Sequence, residues 1–115
     1  MPTLTTHVLN TAAGTPAAGM SLELYHLDGP DPGRPLRQTT TNATGRTDHP
    51  LLDAEAGDGA YELRFDVAGY FEAMGHPDAG KFLGHVPLVF RLSGGGHYHV
   101  PLLVSPWSYS TYRGS

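Results

Sequence analysis

The run Tyr61-Glu62-Leu63-Arg64-Phe65-Asp66-Val67 alternates apolar and charged residues without a fault, and no other stretch constrains the fold so tightly. A period of two places Tyr61, Leu63, Phe65 and Val67 on one side of an extended chain and three ionisable residues on the other. The segment is therefore read as a β-strand with one buried face. Weaker versions of the pattern recur. Leu4, Thr6 and Val8 alternate with Thr5, His7 and Leu9, and Leu22, Leu24 and His26 alternate with Ser21, Glu23 and Tyr25. Val86, Leu88, Phe90 and Leu92 form another set, in which Pro87 removes a ladder donor and so predicts an edge strand or a bulge. Further strands are expected from Leu36 to Thr41, around Thr47 to Leu52, and from His97 to Val104. In the last of these Tyr98, Val100, Leu102 and Val104 make the core face, so His97 and His99 point away from it.

Between these runs the chain is broken by turn formers. Asn10 to Gly19, Gly29-Pro30-Asp31-Pro32-Gly33, Asn42 to Gly45 and Gly94-Gly95-Gly96 all read as loops or turns. With 15 Gly, 10 Pro and only 16% charged residues, many short strands are favoured over long helices. Ala68 to Gly75 lacks the alternation and is the one plausible short helix. The expectation is an all-β, eight-stranded two-sheet sandwich with one short helix, forming a single domain over residues 1–115.

Several function classes fall away at this level. A net charge of -4 and the lack of any Lys/Arg run argue against nucleic acid as a partner. No apolar run is long enough to span a bilayer, and Met1-Pro2-Thr3-Leu4-Thr5-Thr6-His7 does not resemble a secretory signal, so no membrane association and a cytoplasmic location are expected. Without cysteine there is no disulfide, no thiolate nucleophile and no Cys-based zinc site. Seven His against a single Lys point instead toward proton-transfer chemistry.

His7 and His99 both lie on the non-core face of a strand, and Arg46 follows directly on the turn at residues 42–45. The three make either a proton-transfer pair beside a permanent cation or three solvated surface residues, and strand parity alone does not decide between them. His97 and His99 on one face are also compatible with a zinc or copper site. The third ligand would have to be His7, His49, His76 or His85, and the spacing favours none of them. Asp48 and His49 carry no triad signature, the triple glycine is not followed by a helix, and the acidic stretch at Asp53, Glu55 and Asp58 lacks calcium-loop spacing.

The opening Leu4-Thr5-Thr6-His7-Val8-Leu9-Asn10-Thr11 with Gly14-Thr15-Pro16-Ala17, the segment Thr44-Gly45-Arg46-Thr47-Asp48, and the block from His97-Tyr98-His99-Val100-Pro101 to Tyr112-Arg113-Gly114-Ser115 resemble three motifs of the 5-hydroxyisourate hydrolases of the transthyretin-like family. The resemblance covers essentially the whole chain, and the terminal tetrapeptide is its most specific part. It implies a transthyretin-like sandwich assembled as a homotetramer, a dimer of dimers with active sites on a central channel. It also implies hydrolysis of 5-hydroxyisourate with no cofactor and no metal. His7, Arg46 and His99 are carried over as catalytic residues, and His7, Arg46, Tyr112, Arg113, Gly114 and Ser115 as substrate-binding ones; His97 is not carried over. The chain departs from the family at Asn10, where Asp is usual, at Trp107, where Tyr or Phe is usual, and over Lys81 to Leu92. The alternative is a transthyretin-like carrier of a small ligand without catalysis, since one fold serves both roles.

Overall fold

The computed structural model describes residues 2–52 and 57–114. The strands among them are β1 (Pro2–Thr5), β2 (Val8–Asn10), β3 (Thr15–Pro16), β4 (Ser21–His26), β5 (Arg37–Thr40), β6 (Gly59–Asp66), β7 (His85–Leu92), β8 (Gly96–His99), β9 (Leu102–Val104) and β10 (Tyr109–Ser110), with one helix, α1 (Val67–Ala73). One antiparallel sheet runs β5-β4-β6-β7. The other layer is β10-β9-β2-β3, continued by the parallel pair β1-β8.

The interruptions in this second layer have an identifiable cause. Pro101 has no N–H to give the ladder, and Val8 donates its own N–H to Gly45 O (2.8 Å) in the turn that crosses the strand there. The strands nevertheless continue across the gap, because Val100 N–H donates to Thr5 O (2.9 Å) and Leu102 N–H to His7 O (3.0 Å). The Thr6 hydroxyl also donates to Val100 O (2.7 Å). With β1–β2 and β8–β9 each taken as one strand, eight strands remain among the described residues, as expected.

They are not the same eight. The strand expected around Thr47 to Leu52 is absent; that segment is a run of bends held by local bonds such as Thr47 Oγ1 to His49 O (2.8 Å), and Pro50 removes a further donor. Its apolar end is buried all the same, with Leu51 donating its N–H to Leu4 O (3.2 Å). Two short strands make up the number, β3 within the segment read as a loop and β10 in the terminal segment, where no strand is placed by the alternation. The expected acidic loop falls partly on residues 53–56, outside the described residues.

The core lies between the layers, with Leu4, Val8, Leu102 and Val104 facing Leu22, Leu63, Phe65 and Val86. Burial alternates along β6 as the sequence pattern requires. Pro87 sits in β7, which is the edge of its sheet, so the ladder loses little by it. Helix α1 begins at Asp66, whose carboxylate accepts from Gly69 N–H (3.1 Å), and it buries Val67, Tyr70 and Phe71 along one face. The Asn10 amide, 2% exposed, donates to Tyr70 Oη (3.1 Å) and so ties β2 to this helix. Among the described residues no helix is long and apolar enough to cross a membrane.

Candidate active site

The parallel pairing of β1 with β8 sets Thr3 opposite His97 and Thr5 opposite His99. This register brings residues from near the two ends of the chain onto one outward face. Beside that face the segment from Arg46 to Pro50 leaves an open cleft of about 590 Å³, lined among others by Thr5, Arg46, Asp48, His49, His97 and His99.

Arg46 reaches the cleft because a compact turn carries it there. The side-chain oxygen of Asn42 accepts from Thr44 N–H (3.0 Å), Thr44 Oγ1 (2.7 Å) and Arg46 N–H (3.2 Å), while the Asn42 amide donates to Asp48 Oδ1 (2.9 Å). Asn42 N–H to Arg46 O (2.7 Å) closes the turn. Gly45 within it has φ +79° and is buried, and a β-carbon there would run into Val8 O and press on the His7 ring. Only glycine meets both demands. The turn in turn holds His7, whose Nε2–H donates to Thr44 O (2.8 Å). Since a carbonyl only accepts, this bond fixes the proton on Nε2 of His7. His7 stands beside the turn and is half-buried.

His99 is half-buried on the floor of the cleft, with Nδ1 2.9 Å from Thr5 Oγ1. Burial holds its imidazole below the ordinary value of 6.5, and the positive charge of Arg46 acts in the same direction, followed by His7 and His97. A neutral imidazole beside a permanent guanidinium is the combination a general base at neutral pH requires.

The terminal segment folds back over the same strand. Gly114 N–H donates to His99 O (2.7 Å) and His99 N–H to Gly114 O (3.3 Å), and a β-carbon on Gly114 would lie 3.0 Å from His99 Cδ2. Thr111 Oγ1 anchors the segment on Pro101 O (2.6 Å). Thus Gly114 joins His99, whereas Tyr112 and Arg113 line a second groove of about 440 Å³ along β7, where the Arg113 guanidinium lies 4.4 Å from the ring centre of Tyr98. Ser115 lies outside the described residues.

Among the described residues no three His, Asp or Glu side chains converge as metal ligands, and His97 and His99 are engaged by hydroxyls. Asn42 was not singled out by motif reading, although an Asn placed two before Thr and three before Gly is the signature of a side-chain-capped turn. Thr5 left no comparable local trace, and His97 drew notice only as a possible metal ligand.

Residues 4–114 match the model of the HIUase/Transthyretin family. A 5-hydroxyisourate hydrolase of Deinococcus radiodurans is 49% identical over 99% of this chain and 97% of its own length. Among solved structures, the Klebsiella pneumoniae 5-hydroxyisourate hydrolase superposes with a TM-score of 0.84 at 32% identity, covering 100% of both chains. An (S)-allantoin synthase gives a TM-score of 0.91 at 42% identity, with 99% of this chain covered but only 44% of the synthase. Sea bream transthyretin in complex with thyroxine gives 0.83 at 29%, covering 96% of this chain and 93% of its own.

Proposed function

The chain belongs to the HIUase/Transthyretin family, and from that membership together with the cleft chemistry we propose that it hydrolyses 5-hydroxyisourate to 2-oxo-4-hydroxy-4-carboxy-5-ureidoimidazoline in urate degradation. The observation that carries this reading is His99, kept toward the neutral form in a cleft that also holds Arg46. The substrate ring is polar and electron-rich, which suits an imidazole and a guanidinium better than an apolar wall would. Arg46 binds and polarises the carbonyl oxygen under attack. His99 takes a proton from water, whose oxygen adds to the carbonyl carbon; the ring C–N bond then breaks and His99 returns that proton to the departing nitrogen, with His7 held beside the cleft by Thr44 O to help orient the leaving group. Proton transfer and charge stabilisation suffice for these steps, so no cofactor is assigned.

Tyr112, Arg113, Gly114 and Ser115 are taken to bind and orient the ring. Since Tyr112 and Arg113 of one chain line the β7 groove and not its His99 cleft, they serve this role where copies meet. That favours a homotetramer, a dimer of dimers, in which residues 1–115 act as one catalytic domain; a cytoplasmic location belongs to the same proposal.

The test is to generate 5-hydroxyisourate from urate with a urate oxidase and follow its ultraviolet decay. Wild-type protein accelerates the decay, and His99→Ala loses about 10²- to 10⁴-fold in kcat, the usual contribution of a positioned base. No acceleration by wild type would overturn the hydrolase and favour a small-ligand carrier of the kind sea bream transthyretin represents.

A further inference from the structure

Thr5 stands between two imidazoles. Its Oγ1 is 2.9 Å from Nδ1 of His99 and 3.3 Å from Nε2 of His97, and Nδ1 of His97 is in turn 2.8 Å from Thr3 Oγ1. A threonine hydroxyl carries one proton, so Thr5 donates to only one of its two neighbours and accepts from the other. A neutral imidazole has one donor nitrogen and one acceptor nitrogen. The tautomers of His97 and His99 are therefore linked, and two arrangements satisfy every bond. In the first, Thr5 donates to Nε2 of His97, His97 donates from Nδ1 to Thr3, and His99 donates from Nδ1 to Thr5, which leaves Nε2 of His99 unprotonated. In the second each direction is reversed and Nε2 of His99 carries a proton.

The two arrangements are not equivalent. Arg46 lines the cleft beside His99, and His7 adds its charge whenever it is protonated. A nearby positive charge favours a lone pair over an N–H at the ring nitrogen that Thr5 does not engage.

We propose that His97 and Thr5 are positioning residues: His97, acting through the Thr5 hydroxyl, holds His99 in the tautomer whose Nε2 is unprotonated and available as base. Water's proton then goes to Nε2, while the Nδ1–H stays on Thr5. The catalytic consequence rests on the hydrolase reading; the linkage between the imidazoles does not.

Nitrogen-15 NMR of the ring nitrogens, recorded on full-length protein where the imidazoles are neutral, reads the linkage without substrate. His99 is expected to carry its proton on Nδ1 in the wild type and to shift toward Nε2–H in both His97→Phe and Thr5→Val. Thr5→Ser, which keeps the hydroxyl, restores the wild-type tautomer and recovers most of the rate lost in Thr5→Val. In turnover assays His97→Phe and Thr5→Val lose about 10- to 100-fold in kcat with little change in KM, a share of the ~10²- to 10⁴-fold supplied by a positioned base. His97 is exposed, so its replacement leaves folding intact even if Thr5→Val does not. An unchanged His99 tautomer in His97→Phe overturns the linkage, and a changed tautomer with unchanged kcat overturns the positioning role. Failure of the wild type to hydrolyse 5-hydroxyisourate removes the functional reading alone, and the NMR result still decides the linkage.

Discussion

At the scale of single residues, the value of His99 comes from its surroundings. Burial and the Arg46 charge both oppose protonation, with smaller contributions from His7 and His97. In the unfolded chain these influences vanish and the imidazole titrates near 6.5. As pH falls below that value the unfolded state takes up the proton first, so stability is greatest above it and declines until the lowered native value is passed. Activity follows the native value. The acid limb of kcat/KM is expected below the ordinary histidine range, and Arg46→Ala moves it upward while lowering the rate. A pH–rate profile of both proteins checks this, and an unmoved limb would show that Arg46 does not act on the group being titrated.

At the scale of elements, the turn at residues 42–46 sets both Arg46 and the Thr44 carbonyl that holds His7. Asn42→Ala removes one acceptor shared by three donors, and a loss of about 1–3 kcal/mol is expected in urea unfolding, together with reduced kcat/KM. Full activity in that variant would mean that Arg46 finds its place without the turn. The strand faces were legible in the sequence because a period of two reports directly which side is buried, as Leu4, Thr6 and Val8 illustrate. Leu51 and Leu52 misled for the same reason: apolar residues report burial, and burial does not demand a ladder. His7, Arg46 and His99 stood out through their motifs. Thr5 and Asn42 did not, and His97 stood out only as a possible metal ligand, since the contacts they make come from a register between distant strands and from bonds within a turn.

At the scale of the whole molecule, several large apolar side chains remain exposed, and three of them, Val89 (62%), Tyr109 (43%) and Tyr112 (59%), line the groove along the edge strand β7. Light scattering on a sizing column is expected to give four times the mass of the chain. A fully active monomer would show that Tyr112 and Arg113 are not needed at a neighbour's cleft. The parallel pair β1-β8 carries one more consequence. Thr5 and His99 meet across a separation of 94 residues, so nearly the entire chain must be closed into a loop before His99 acquires its partner. Contacts so distant in sequence form late and slow the search for the native state. On the proposed mechanism catalytic competence is thus a report on complete folding: a chain that has assembled only its β4–β7 sheet has much of its core and lacks the Thr5–His99 pair.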